Sequence, residues 1–246
     1  MQPDASTILN RLSITIPPVG FYDAPDPKPF EPLTVPSGRQ CVFTSLKHWR
    51  EGTTLHLTRE KHGCGGLHLF GDMERSRDDL VKFLCDEEGL RADRELMALW
   101  LDSSGHYEPV HDHLLIGPLR PDQYDYLRTV TFYVNPDQLA VLCVGAGYYS
   151  RPDDIPPVIA PFGSGCGQLI SLFEDLDAPQ AMIGATDQAM RRFLEPALLA
   201  FAVTRPMFEL LCRWAADRNS SLHSGFTDAL IKARGGSLAC EEAAEQ

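Results

Sequence analysis

Residues 127–149 read LRTVTFYVNPDQLAVLCVGAGYY, a strand pattern followed directly by a helix pattern. Its first eight residues are rich in β-branched and aromatic side chains, which predicts a strand over 127–134. Asn135 and Pro136 follow as a helix cap and a first helical residue, and the apolar run after them predicts a helix to about Tyr149. A strand that passes directly into a helix indicates a domain built from both elements.

The rest of the chain also alternates strands and helices, without a regular β-α-β rhythm. Further strands are predicted at 53–58, 112–119 and 197–204, and further helices at 37–51, 76–88 and 91–102. The predicted fold class is therefore α+β, a mixed α/β arrangement.

The charge balance excludes two classes of partner. The 246 residues carry 22 basic and 34 acidic side chains, a formal net charge of −12. Such a chain repels phosphate backbones and anionic bilayers, so neither nucleic acid nor a membrane is an expected partner. The N-terminus lacks the basic start and apolar core of a signal peptide, and the seven cysteines are expected as thiols or metal ligands. We therefore expect a cytoplasmic protein, and a small molecule, a metal and a homo-oligomer stay open as partners.

Two Gly-Cys-Gly segments lie 102 residues apart, GCGGL at 63–67 and GCGQL at 165–169. Cys41 and Cys143 have the same spacing. We interpret the matches as a duplication into two pseudo-symmetric halves packed as one globular unit. The predicted divisions are a Pro-rich N-terminal arm over 1–36, a first half over 37–123, a second half over 124–234 and a polar tail over 235–246. Such halves would bring the two glycine-rich turns together.

A cysteine between glycines at the start of a helix is suited to ligand binding. Glycine permits close approach of the backbone, and the unpaired N–H groups and the helix dipole favour the thiolate. Cys64 and Cys166 have this setting, and Cys41 lies on a predicted helix before the first turn. With His62, these cysteines form the predicted metal site, and the donor set suits an iron–sulfur cluster or zinc.

The alternative for every cysteine is packing, because cysteine is among the most buried residue types. Packing is favoured for Cys143, which lies within an apolar helix, and for Cys85 and Cys212 on amphipathic helices. Cys240 lies in the tail and is interpreted as incidental.

The two turns are also suited to an anion, which backbone N–H groups at a helix start can bind. The residues that would do so are Gly63, Gly65, Gly66, Gly163, Ser164, Gly165 and Gly167. Neither turn has the spacing of a P-loop or of a dinucleotide-binding loop, so this second hypothesis is a module that binds or senses an anionic metabolite. A third hypothesis is a cysteine-dependent enzyme with Cys64 or Cys166 as the nucleophile. The sequence does not decide whether the protein is an enzyme.

Two other histidines form a weaker candidate. His111 and His113 are two residues apart, so on a strand they would share a face and could hold a metal or act as acid and base. The alternative is a polar loop over 107–112.

The order of these segments resembles the prokaryotic family known as domain of unknown function 169, over about residues 12–217. The resemblance is carried by the segments around Cys41 and Cys64, by LLIGPL at 114–119, by residues 130–149, by GSGCGQ at 163–168, by LLAFAV at 198–203 and by PMFELLCRW at 206–214. It implies a cytoplasmic, prokaryotic-type protein in which Cys41, Cys64 and Cys166 form a shared site. The stretch GATDQAMRR at 184–192 departs from the family pattern, so this member is expected to bind a different ligand if that stretch completes the site.

Overall fold

The computed structural model describes residues 3–37, 41–63, 69–70, 77–104, 106–151, 153–154, 157–159 and 168–239. Within them, eight strands form one sheet: β1 Val19–Ala24, β2 Leu33–Thr34, β3 Thr54–Leu57, β4 His113–Pro118, β5 Leu127–Val134, β6 Val158–Ile159, β7 Ala181–Gly184 and β8 Leu199–Thr204. The order across the sheet is β2-β3-β4-β1-β5-β8-β7-β6. Neighbours run antiparallel except in the two outermost pairs, β2 with β3 and β6 with β7, which are parallel.

The same residues contain nine α-helices: α1 Ser6–Leu12, α2 Leu46–Arg50, α3 Arg77–Lys82, α4 Arg94–Ser103, α5 Pro136–Ala146, α6 Gln168–Ser171, α7 Gln188–Arg191, α8 Arg205–Ala216 and α9 Gly225–Ala233. A π-helical turn, Phe83–Glu87, continues α3. The predicted mixed α/β class is confirmed. In the part of the chain described, no helix combines the length and the apolar character needed to cross a bilayer.

The strand and helix predicted from residues 127–149 are both present. The Asn135 side chain caps α5, because its Oδ1 accepts from the Gln138 N–H at 3.0 Å while the Gln138 Oε1 accepts from the Asn135 N–H at 2.9 Å. This reciprocal pair satisfies two backbone donors that a helix start otherwise leaves open. The sequence therefore fixes the point at which β5 ends and α5 begins.

The predicted N-terminal arm over 1–36 is corrected by the structure, since this stretch contributes α1, β1 and β2. All six residues of β1 are buried, and β1 lies between β4 and β5 at the centre of the sheet. The prolines of residues 17–36 favoured an arm, but Val19–Ala24 is a proline-free run that keeps its N–H groups for sheet pairing. The predicted polar tail also begins within the fold, because Leu238 is buried.

Alternate residues along the strands fill two separate cores, one on each face of the sheet. Tyr22 and Phe132 belong to the core against which α1, α5 and α8 pack, and we call this side the helical face. Phe21 and Tyr133 belong to the other core, which α2, the 3₁₀ turn Val42–Thr44 and further short segments cover. We call this second side the irregular face.

The sheet has the same strand order on both sides of its central antiparallel pair, β1 with β5. Outward from that pair, the first side reads β1, β4, β3, β2 and the second reads β5, β8, β7, β6. The predicted spacing of 102 residues does not follow this order, because residues 63–67 connect β3 to β4 whereas residues 165–169 connect β6 to β7. Cys41 and Cys143, which share that spacing, pack on opposite faces. The division at residues 123 and 124 stays a prediction.

Candidate functional site

Cys41 lies within the described residues and packs, half-buried, against the core of the irregular face. The predicted helix from Ser37 starts later, at Leu46, so Cys41 is not helical. Its backbone is extended, with φ −71° and ψ 116°, and it precedes the 3₁₀ turn Val42–Thr44. Its carbonyl accepts from the Thr44 Oγ1 at 3.0 Å, which holds the cysteine at the start of that turn.

The segment after Cys41 is fastened across the middle of the sheet. The hydroxyl of Tyr133, in β5, donates to the Phe43 carbonyl at 2.5 Å, and the Tyr133 ring stacks on Trp49 with the centroids 5.4 Å apart. Arg50, at the end of α2, pairs with Glu195 at 2.7 Å. A segment that follows edge strand β2 therefore contacts β5 and the connection between β7 and β8.

The two Gly-Cys-Gly turns lie mostly outside the described residues. Those outside are Cys64, Gly65, Gly66, Gly163, Ser164, Gly165, Cys166 and Gly167. Gly63 is described, and its φ of 66° is a left-handed conformation that favours glycine. Leu69, after the first turn, and Leu169 and Ile170, after the second, are buried in the same irregular-face core that Cys41 contacts. The described flanks of all three cysteines thus share one face of the sheet.

After the second turn, the structure describes the helix α6 over Gln168–Ser171. The turn itself lies outside the described residues, so the anion-binding alternative at that turn stays a prediction.

His62 has the ring orientation that a metal-ligating histidine uses. Its Nδ1 lies 2.8 Å from the Gly63 carbonyl oxygen. A carbonyl oxygen only accepts, so Nδ1 carries the proton and Nε2 keeps its lone pair. The ring also lies 5.7 Å from that of Phe70, whose side chain belongs to the irregular-face core.

The predicted pair of His111 and His113 is divided between two partners. The Nδ1 of His111 lies 3.0 Å from the Oδ1 of Asp23. His113 begins β4, and its Nδ1 lies 3.0 Å from the Nε2 of His56 in β3. Burial, together with the neighbouring His113, lowers the pKa of His56.

Asp23 is a site residue that the sequence analysis missed. Its carboxylate is almost fully buried and accepts from the Tyr107 hydroxyl at 2.7 Å and from the backbone N–H groups of Val110 and His111 at 2.7 and 2.8 Å. Burial and the hydrogen bond to Asp23 raise the pKa of Tyr107. The available signal was that Asp23 is the one charged residue in the run VGFYDA, since a charge in a buried strand needs dedicated partners.

A cavity of about 350 Å³ opens beside these histidines. Its lining includes Thr58, Arg59, Glu60, His111, Asp112 and His113. The Nη1 of Arg59 donates to the Phe70 carbonyl at 3.2 Å, and the guanidinium carbon lies 5.8 Å from the Phe70 ring centroid. One cation, two carboxylates and two imidazoles therefore share the walls of this cavity.

Three other cysteines fit the packing alternative. Burial raises the pKa of Cys143, and that of Cys212 is raised to about 12 by burial and by the nearby carboxylates of Asp4 and Glu209. The Cys85 Sγ donates to the Arg91 carbonyl at 3.7 Å. A thiol that keeps its proton is a poor nucleophile and metal ligand, so these residues are not part of the candidate site.

A preformed metal group is not found among the described residues, where no three His, Cys, Asp or Glu side chains are placed to hold an ion. Cys64 and Cys166 lie outside that search. The predicted metal site at Cys41, Cys64, Cys166 and His62 therefore stays a prediction.

Comparison with known proteins gives one match. Residues 7–213 match the family DUF169, described as "Uncharacterised ArCR", which confirms the resemblance seen in the order of the sequence segments. No curated protein and no solved structure matches the chain.

Proposed function

The chain belongs to the DUF169 family, and we propose that it binds a metal centre, either an iron–sulfur cluster or zinc, through Cys41, Cys64 and Cys166. One observation carries the proposal. Cys41 and the first described apolar residues after both Gly-Cys-Gly turns pack into a single core on one face of the sheet. Ligands from three separate segments need such a common surface, because the chain has no Cys-x-x-C pair.

The lengths of the intervening chain are compatible with a shared centre. Cys64 precedes Leu69 by five residues, and Cys166 precedes Leu169 by three. At about 3.6 Å per residue, the chain allows the Cα of Cys64 at most roughly 18 Å from that of Leu69, and the Cα of Cys166 at most roughly 11 Å from that of Leu169. His62 supplies a fourth donor, because its Nε2 keeps a lone pair.

The proposal includes an internal duplication in which β2 corresponds to β6, and the matching strand order on the two sides of the sheet supports it. In each half a short edge strand is followed by the same pattern, Pro-x-Gly-x-x-Cys, in LTVPSGRQC at 33–41 and VIAPFGSGC at 158–166. The cysteine comes seven residues after the end of β2 and of β6 respectively. Cys41 and Cys166 are then equivalent positions, 125 residues apart. In this proposal, a twofold axis perpendicular to the sheet between β1 and β5 would relate the two cysteines and leave them on one face.

The chemistry follows from the ligand set. Three thiolates and an imidazole complete a tetrahedral zinc site, whereas three thiolates alone leave one iron of a four-iron cluster open to another ligand. Both centres need reduced cysteines, so the proposal includes a cytoplasmic location.

The test is anaerobic purification followed by analysis of iron, acid-labile sulfide and zinc per chain. We expect close to stoichiometric metal in the wild type, with loss of at least half in Cys41→Ser, Cys64→Ser and Cys166→Ser. Cys85→Ser, which removes another half-buried thiol, is the matched control and keeps its metal. A metal-free protein whose three cysteines alkylate readily would overturn the proposal.

The same variants test the alignment of the halves. If Cys41 and Cys166 are equivalent, Cys41→Ser and Cys166→Ser change the metal content by similar amounts and Cys64→Ser differs from both. Equal losses of metal in Cys64→Ser and Cys166→Ser, with a different loss in Cys41→Ser, would instead support the alignment in which Cys64 and Cys166, 102 residues apart, are equivalent.

A further inference from the structure

The cavity beside Asp23 has a chemistry that the cysteine site does not use. An ionised carboxylate only accepts hydrogen bonds, so the contact of 3.0 Å between Asp23 and His111 places the proton on the His111 Nδ1. The Nε2 of that ring then keeps its lone pair. Three further donors from Tyr107, Val110 and His111 itself hold the carboxylate, and the ring orientation is fixed before any ligand arrives.

His111 is also accessible, with 32% of its side chain exposed, and it lines the cavity of about 350 Å³. That volume lies within the usual range of small-molecule sites. A buried carboxylate that orients a half-exposed histidine is the arrangement by which proteins present a proton acceptor.

The charges around His111 select the ligand. Arg59 is held on the wall by the Phe70 carbonyl and ring, and it offers a guanidinium to a carboxylate. Glu60 and Asp112 add two carboxylates to the same lining, and they favour a cationic group. A simple anion would meet two like charges, and a simple cation would meet Arg59.

We propose that this cavity is a second binding site, which takes a small zwitterion of the α-amino acid class. The ligand carboxylate binds the Arg59 guanidinium. The ligand ammonium donates to the Nε2 of His111 and is balanced by Glu60 and Asp112.

The experiment is nuclear magnetic resonance titration of the nitrogen-15-labelled full chain, observed at the imidazole nitrogens. The probes are glycine, L-serine, L-glutamate and L-lysine, with acetate and ethylamine as partial ligands. His111→Asn assigns the His111 signals. We expect the His111 ring to carry its proton on Nδ1. We also expect at least one amino acid to give saturable shifts of the His111 signals, with an affinity at least ten-fold higher than that of acetate or ethylamine.

Arg59→Gln weakens the tightest of these probes by ten-fold or more. The matched control is Arg192→Gln, because Arg192 also lies over a phenylalanine, with its guanidinium carbon 4.7 Å from the Phe193 ring, and is not among the cavity-lining residues. It changes the affinity by less than two-fold. The proposal is overturned if no amino acid gives a saturable shift, if acetate or ethylamine binds as tightly as the zwitterions, or if both arginine variants lose affinity equally.

Discussion

The two faces of the sheet are covered in different ways, although the same strands supply both cores. On the helical face, α5 and α8 have side-chain caps at Asn135 and Thr204 and bury large apolar residues. On the irregular face, the 3₁₀ turn after Cys41 and the five-residue helix α2 contact the sheet through Tyr133, which bonds to Phe43 and stacks on Trp49. We therefore expect the helical face to contribute more to stability, whereas the irregular face carries the buried Asp23 carboxylate and the half-buried Cys41 thiol.

The largest effect is expected from Trp214 on the helical face. Its ring is fully buried against Gly145, where an added Cβ would lie 2.8 Å from the ring. Trp214→Ala leaves a cavity between α5 and α8, and we expect a loss of about 3–5 kcal/mol in the free energy of unfolding. Urea denaturation measures it, with Val144→Ala on exposed α5 surface as the control. A loss below about 1 kcal/mol would show that the helical face is not the more stable side.

The next prediction concerns the contribution of the buried Asp23 carboxylate, on the irregular face, to the stability of the fold. Asp23→Asn replaces one carboxylate oxygen by an NH₂ group, which donates hydrogen bonds and cannot accept them. The donors on Tyr107, Val110 and His111 are then left with too few acceptors. We expect about 2–3 kcal/mol of lost stability, because hydrogen bonds to a charged acceptor are among the stronger ones. Asp26→Asn, close by in sequence and exposed, is the control. Equal stability of the two variants would contradict this account of Asp23.

Trp49 on the irregular face and Trp214 on the helical face differ in the hydrogen bonding of their indole N–H groups, which changing each to phenylalanine tests. The Trp214 Nε1 donates to the Ser221 Oγ at 3.1 Å, whereas the buried Trp49 Nε1 has no hydrogen-bond partner among the described residues. Removing an unsatisfied donor offsets part of the lost packing, so Trp49→Phe should cost less than about 1 kcal/mol. Trp214→Phe should cost about 1–2 kcal/mol more. Thermal and urea unfolding of the two variants measure the difference, and the reverse order would refute it.

The smallest effect concerns pH. The pKa of His56 is lowered in the folded state, so protonation favours the unfolded chain. This contribution to stability is fully present above the unfolded pKa of about 6.5, and it is lost as the pH falls through the lower folded pKa. Urea unfolding at several pH values between about pH 4 and pH 8 measures this. The free energy of unfolding should depend less on pH in His56→Gln, whereas the exposed control His106→Gln should keep the wild-type dependence. An unchanged pH dependence in His56→Gln would assign the effect to another group.

The elements that the sequence predicted well have local signals. β5 and α5 follow from a β-branched run and an Asn-Pro start, and both are stabilised by contacts within a few residues. β1 was missed because its signal is short and lies among prolines, and its place in the sheet depends on β4 and β5, far along the chain. The hydrophobic pattern of a short sequence window does not indicate which distant strands a segment pairs with.

The candidate sites divide in the same way. The pairing of Asp23 with His111 joins residues 88 positions apart, so the sequence around either residue does not indicate its partner. The sequence pattern did not single out Arg59 either, since only the fold brings it to the same cavity as His111. Cys41 was identified from its residue type and its neighbours, but its extended backbone was not, because the turn after it is fixed by Tyr133.

The Gln138 side chain, described above as a helix cap, also joins the two ends of the described chain. Its Nε2 donates to the carbonyls of Leu12 and Leu238, each at 3.0 Å. Fraying of α1 and fraying of the stretch after α9 are therefore coupled events, because each exposes the same amide to water. A cut by a protease near either end should loosen the other, and one buried side chain sets that cooperativity.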